Sequence, residues 1–138
     1  MTAEVEEYFD GVERLFLLSP VVLSFSVRER DERLQEEFIR IRAALSNGDL
    51  FEAFEFVVAK PHELLTLTYR IHWQGREGDL KRRWDNARHH GEIPNFPHHV
   101  HLGPGGEVGP SEPMTIVKAL AFIENEIQRD VGSPQAEA

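Results

Sequence analysis

At the start of the chain the apolar residues fall at Val5, Tyr8, Phe9, Val12, Leu15 and Phe16, the spacing of one helix face. Thr2 stands where an N-cap would, acids fill the first turn where the helix dipole favours them, and Ser19-Pro20 closes the helix. From Val21 the period becomes two: Val21, Leu23, Phe25 and Val27 alternate with smaller or polar neighbours, which predicts a strand. Arg30 to Leu45 fits both periods, because Leu34, Phe38, Ile41 and Leu45 make a helix stripe while Ile39, Ile41, Ala43 and Leu45 make one strand face. Ser46-Asn47-Gly48-Asp49 decides for the strand: it is a hairpin signal, its Asn and Gly tolerate positive φ, and it leads into the aromatic stretch Leu50 to Val58.

Lys60-Pro61-His62-Glu63 reads as a turn before Leu65, Leu67, Tyr69, Ile71 and Trp73, which alternate with Thr66, Thr68, Arg70, His72 and Gln74 in the clearest strand of the chain. The glycines of Gln74 to Asp79 predict a second hairpin into Leu80, Arg82 and Trp84. Asn86 to Pro97 is aperiodic and reads as a structured loop, followed by a short strand around Val100. Pro104 to Pro110 reads as a turn-rich linker, and Gly103-Pro104-Gly105-Gly106 lacks the spacing of a phosphate loop. Ser111-Glu112-Pro113 resembles a helix start capped by Ser111, with Ile116, Leu120, Ile123 and Ile127 on one stripe. The expected fold is α+β: an antiparallel meander of about five or six strands packed against N- and C-terminal helices. Residues 1–131 read as a single globular domain and 132–138 as a disordered tail.

Composition narrows the chemistry. The absence of cysteine excludes a disulfide framework, a thiol nucleophile and cysteine-ligated zinc or iron-sulfur sites, and makes a reducing cytoplasm the expected compartment. No stretch approaches the roughly 20 apolar residues of a membrane span, and the acidic start is the opposite of a cationic signal peptide. A net charge of −9 argues against binding nucleic acid through overall charge. The distribution is uneven, however: between Tyr69 and His90 the bases Arg70, Arg76, Lys81, Arg82, Arg83 and Arg88 outnumber the acids Glu77, Asp79 and Asp85.

All seven histidines lie after position 61, and His89, His90, His98, His99 and His101 crowd into one stretch. A satisfied loop is the plain explanation for any one of them. A metal reading has His99 and His101 on one strand face, although the spacing matches no closed structural zinc pattern. A third reading is acid-base chemistry on an anionic substrate, with arginine holding phosphate by paired hydrogen bonds. Strand parity favours the third: Arg40 and Arg42, Glu55, Arg70 and His72, and Arg83 and Asp85 each leave the apolar face of their strand. If those apolar faces all pack on the helices, the polar set converges on the other side of the sheet. Trp73 and Trp84 fall on the apolar side and read as core rather than as base-stacking platforms.

At Tyr69-Arg70-Ile71-His72-Trp73-Gln74, Arg83-Trp84-Asp85-Asn86-Ala87-Arg88-His89-His90 and Ile93-Pro94-Asn95-Phe96-Pro97-His98-His99-Val100-His101, the chain resembles the TumE-like family of prokaryotic toxin-antitoxin systems. The resemblance runs from about Arg40 to the C-terminal helix. Its pattern falls on His72, Arg83, Asp85, Asn86, His89, His90, His98, His99 and His101. One departure is Arg88, where the family pattern carries proline; it alters the loop and adds a positive charge. The resemblance implies a toxin whose partner is a cognate antitoxin protein.

Two classes of function follow. The first is a metal-independent endoribonuclease that needs no cofactor: His72, His89, His90, His98, His99, His101 and Asp85 supply or orient acid-base groups, and Arg40, Arg42, Arg70, Arg83, Asn86 and Arg88 hold RNA. The second is a noncatalytic module that binds a protein, an anion or a metal through the histidine-rich loop. In either case the acidic first helix favours a basic protein partner.

Overall fold

A computed structural model describes residues 3–31, 37–88 and 91–131. The expected Thr2 cap, the histidines at 89 and 90 and the tail at 132–138 lie outside the described residues. Helix α1 (Ala3–Leu18) precedes strands β1 (Val22–Asp31), β2 (Glu37–Leu45), β3 (Leu50–Lys60), β4 (Glu63–Gln74), β5 (Leu80–Asp85), β6 (His99–Leu102) and β7 (Glu107–Pro110), and helix α2 (Ile116–Val131) follows. The strands form one antiparallel sheet in chain order.

The β2–β3 hairpin sets the central register. Gly48 takes a φ of 92°, the Asn47 side chain accepts the Asp49 N–H at 3.0 Å, and the Leu45 N–H reaches the Asp49 carbonyl at 2.9 Å. Ala43 thereby pairs with Phe51 and Ile41 with Ala53. The face carrying these residues continues through Ile71 and Trp73 to Trp84 and Val100, all buried. Val5, Phe9, Val12 and Phe16 of α1 and Ile116, Leu120, Ile123 and Ile127 of α2 cover it. Phe122 of α2 meets the edges of both Trp73 and Trp84, so the tryptophans are core. Among the described residues no helix lies on the other face of the sheet.

The structure departs from the sequence reading at four places. The sheet has seven strands, because Glu107–Pro110 pairs with β6 after a turn at Gly106, whose φ is 82°. Helix α2 is capped by Thr115, whose Oγ1 accepts the Lys118 N–H at 3.1 Å, while Ser111 lies upstream of the helix and donates to the Glu112 carbonyl. Leu23 is 71% exposed because a register shift between Val22 and Ser24 turns it off the core face.

The fourth departure concerns β3. Phe54 and Phe56 lie on the helix-free face and Glu55 is fully buried on the helix side, the reverse of the expected placement. Three donors make that burial tolerable: the Tyr8 hydroxyl at 2.7 Å, the Thr66 hydroxyl at 2.9 Å and the Ile116 N–H at 2.9 Å. The last places the Glu55 carboxyl at the positive end of α2. Both helices are thus tied to one point of the sheet, which leaves the opposite face clear.

Candidate functional site

Two rows of cross-strand neighbours run over the helix-free face. One is Arg42, Glu52, His72, Arg83 and His101; the other is Arg40, Phe54, Arg70, Asp85 and His99. Because residues opposite each other in an antiparallel pair share a face, strands far apart in sequence deliver these groups to one surface. Two adjoining grooves run along it, of about 310 Å³ beside His72 and about 580 Å³ beside Asp85 and His101. Arg40, Phe54, Arg70 and Arg83 line both.

Among the described residues the contacts of three of these cations are weak or incomplete. Arg42 faces Glu52 at 3.8 Å with both side chains half exposed, a contact of little strength. The Arg40 guanidinium lies 5.0 Å from the centre of the Phe54 ring. Arg83 Nε is buried and finds no hydrogen-bond acceptor among the described residues. A buried donor of this kind, lining the same grooves as Arg40 and Arg70, suits an anion that brings its own oxygens.

His72 Nε2 lies 2.8 Å from Gln74 Oε1, an acceptor, so Nε2 donates to it and Nδ1 is left to accept. At the other end of the face Asp85 is the hub. Its Oδ1 accepts the Ala87 N–H at 3.0 Å and lies 2.9 Å from His99 Nε2, and its Oδ2 is 3.5 Å from His101 Nε2. His99 is 1% exposed, and its Nδ1 is 2.9 Å from the Pro97 carbonyl. The two imidazoles meet edge to face at 5.0 Å. Asp85, His99 and His101 hold their ligand-type atoms within 4.8 Å of one another.

Of the residues singled out in the sequence, Arg40, Arg42, Arg70, His72, Arg83, Asp85, His99 and His101 therefore share one surface. Three do not join them. His98 stands just before β6 and is stacked on Tyr69 with rings 5.8 Å apart, its Nδ1 2.8 Å from the Tyr69 hydroxyl. Burial, together with neighbouring His99, lowers the His98 pKa. Burial likewise pushes the Tyr69 hydroxyl up to about 12, with Asp85 adding to the shift against an opposing backbone hydrogen bond at Met114. Asn86 is engaged with backbone: its Oδ1 accepts the Tyr69 N–H at 3.0 Å and its Nδ2 donates to the Leu67 carbonyl at 2.9 Å, fixing the loop after β5 to β4. Arg88 lies over the Phe96 ring at 5.1 Å in that loop.

Sequence reasoning missed Phe54, Glu52 and Gln74 as groove residues. The Asn47-Gly48 turn held the signal, since counting back from it sets Arg40 opposite Phe54 and Arg42 opposite Glu52.

A family profile described as Toxin TumE matches residues 12–130. No curated protein and no solved structure matches the chain. Among the described residues no helix is long and apolar enough to cross a membrane.

Proposed function

Because the chain belongs to the toxin TumE family, whose members are paired with antitoxins, we propose that its toxic act is cleavage of cytoplasmic RNA on the helix-free face of the sheet. The observation that carries this reading is the buried Arg83 Nε without an acceptor among the described residues, on a groove it shares with Arg40, Arg70 and the His72 imidazole. A phosphodiester supplies the missing acceptors, and the Phe54 ring offers a surface on which a base stacks, a contact worth roughly 1–3 kcal/mol in single-strand recognition. RNA is favoured over DNA because His72 can work on a 2′-hydroxyl.

The reaction balances without an outside reagent. His72 Nδ1 takes the 2′-hydroxyl proton, the 2′-oxygen forms a bond to phosphorus, and the bond from phosphorus to the 5′-oxygen breaks. A 2′,3′-cyclic phosphate and a 5′-hydroxyl result once the leaving oxygen takes a proton from the His101 imidazolium, which lines the groove and is the partly exposed imidazole of that cluster. Arg40, Arg70 and Arg83 stabilise the charge that grows on the phosphate oxygens. Positioned acid-base groups contribute about 10² to 10⁴ in rate, so His72→Ala costs roughly that factor.

The cognate antitoxin protein silences the toxin, and the exposed acids Glu4, Glu6, Glu7 and Asp10 of α1 suit a basic surface on it. Expressing wild type, His72→Ala and Arg83→Ala in a susceptible host, with growth and cellular RNA followed together, tests the proposal. Growth arrest with RNA fragmentation in wild type, and loss of both in folded variants, is the expected result. Growth arrest with intact RNA contradicts it and favours a noncatalytic binding module.

A further inference from the structure

We propose that Asp85, His99 and His101 bind one divalent transition-metal ion at the end of the larger groove. His99 Nδ1 sits 2.9 Å from the Pro97 carbonyl oxygen, which can only accept, so Nδ1 carries a proton. Its other nitrogen, Nε2, is 2.9 Å from Asp85 Oδ1. Nε2 and that carboxylate oxygen are both metal-ligand atoms, and they converge with a third from His101.

Three features favour the metal. His101 directs its Nε2 at the same carboxylate, 3.5 Å from Oδ2, so three donor atoms converge on one volume. The ligands are also preorganised: His99 and Asp85 are directly opposite each other on β6 and β5, His101 follows on the same face, and the Ala87 N–H holds the carboxylate. A hydrogen bond from the second ring nitrogen to a backbone carbonyl is the usual way a ligating histidine is oriented, and Pro97 provides it. Finally, the cluster opens toward the groove lined by Arg70 and Arg83, which leaves coordination positions for water or a phosphate oxygen.

Two imidazole nitrogens and one carboxylate oxygen suit Zn²⁺, Co²⁺, Mn²⁺ or Fe²⁺ rather than Ca²⁺ or Mg²⁺, which prefer all-oxygen shells. On this proposal a metal-assisted reaction replaces the metal-independent reading. For cleavage the inference rests on the RNA-cleaving reading and alters one step: a water held on the ion would give the proton to the leaving oxygen in place of His101, and the proton taken up by His72 would restore that water. The binding itself does not depend on that reading.

The test is therefore made without RNA. Tag-free full-length protein is stripped with a chelator, checked for folding by circular dichroism and titrated with Co²⁺ and Zn²⁺ by calorimetry and visible absorption. One ion per chain is expected, with affinity falling tenfold or more in Asp85→Asn and in His101→Ala, and unchanged in His98→Ala, which stacks on Tyr69 outside the cluster. His101 is the safer probe of the ligands because its side chain is 14% exposed. Failure of folded wild type to bind either ion, or binding that survives both ligand substitutions, overturns the assignment.

Discussion

Glu55 offers the strictest check on the way the fold frees one face of the sheet. Glu55→Ala removes an acceptor shared by the Tyr8 hydroxyl, the Thr66 hydroxyl and the Ile116 N–H, at 2.7, 2.9 and 2.9 Å, in a position with no solvent exposure. Each stranded buried donor costs about 1–3 kcal/mol. Thr66 is only partly buried and can turn to water, so the penalty falls mainly on Tyr8 and Ile116, with the cavity left by the side chain added to it. The expected loss is roughly 3–5 kcal/mol, a large share of the 5–15 kcal/mol typical of a domain. Glu55→Gln tells more. Its amide oxygen can still accept the Ile116 N–H while its NH₂ donates to the two hydroxyls, which reverse their roles, so the loss shrinks to about 1–2 kcal/mol. Urea unfolding followed by circular dichroism, with unchanged slope, measures both. A Glu55→Ala loss below about 1 kcal/mol, or a Gln variant as damaged as the Ala variant, refutes the view that this network ties both helices to the sheet.

Gly103→Ala should destabilise by about 3 kcal/mol or more, since a Cβ there falls 1.6 Å from the Leu80 carbonyl oxygen and backbone cannot yield; urea midpoints and soluble yield report it. His98→Ala should keep toxicity and RNA cleavage within about twofold of wild type, while losing roughly 1 kcal/mol of stability with the Tyr69 hydrogen bond. Tyr8, through burial and then the adjacent Glu55, has a pKa above its ordinary value of 10.0, so the folded state retains a proton that the unfolded chain releases above that pH. Its stabilising contribution is complete below about pH 10 and declines as pH rises beyond it, and Tyr8→Phe should flatten the alkaline side of a stability profile measured by urea unfolding.

The sequence was most informative where one strand face is wholly apolar. Ile39 and Ile41, and Tyr69, Ile71 and Trp73, can only face a core, so the opposite placement of Arg40, Arg42, Arg70 and His72 followed from parity alone. The same logic set His99 and His101 on one face of β6. It failed on β3 because the burial of Glu55 depends on Tyr8, 47 positions away, and on Ile116, 61 positions away, and no local pattern reveals donors that distant. Strand β7 was hidden by the glycines and prolines on its flanks, which signal a turn more strongly than its four residues signal pairing. Nor could spacing show that Asp85 meets His99. That contact depends on the β5–β6 register, held where the Gly103 N–H reaches the Lys81 carbonyl at 2.9 Å.

The most direct measurement compares a short oligoribonucleotide with its 2′-deoxy counterpart of the same sequence, each incubated with purified wild-type protein supplied with Co²⁺ or Zn²⁺, the products being identified by mass spectrometry. Cleavage of the RNA alone, leaving 2′,3′-cyclic phosphate and 5′-hydroxyl ends, is the predicted result. Equal cleavage of the deoxy strand contradicts the account, as does intact RNA with protein that arrests growth in cells.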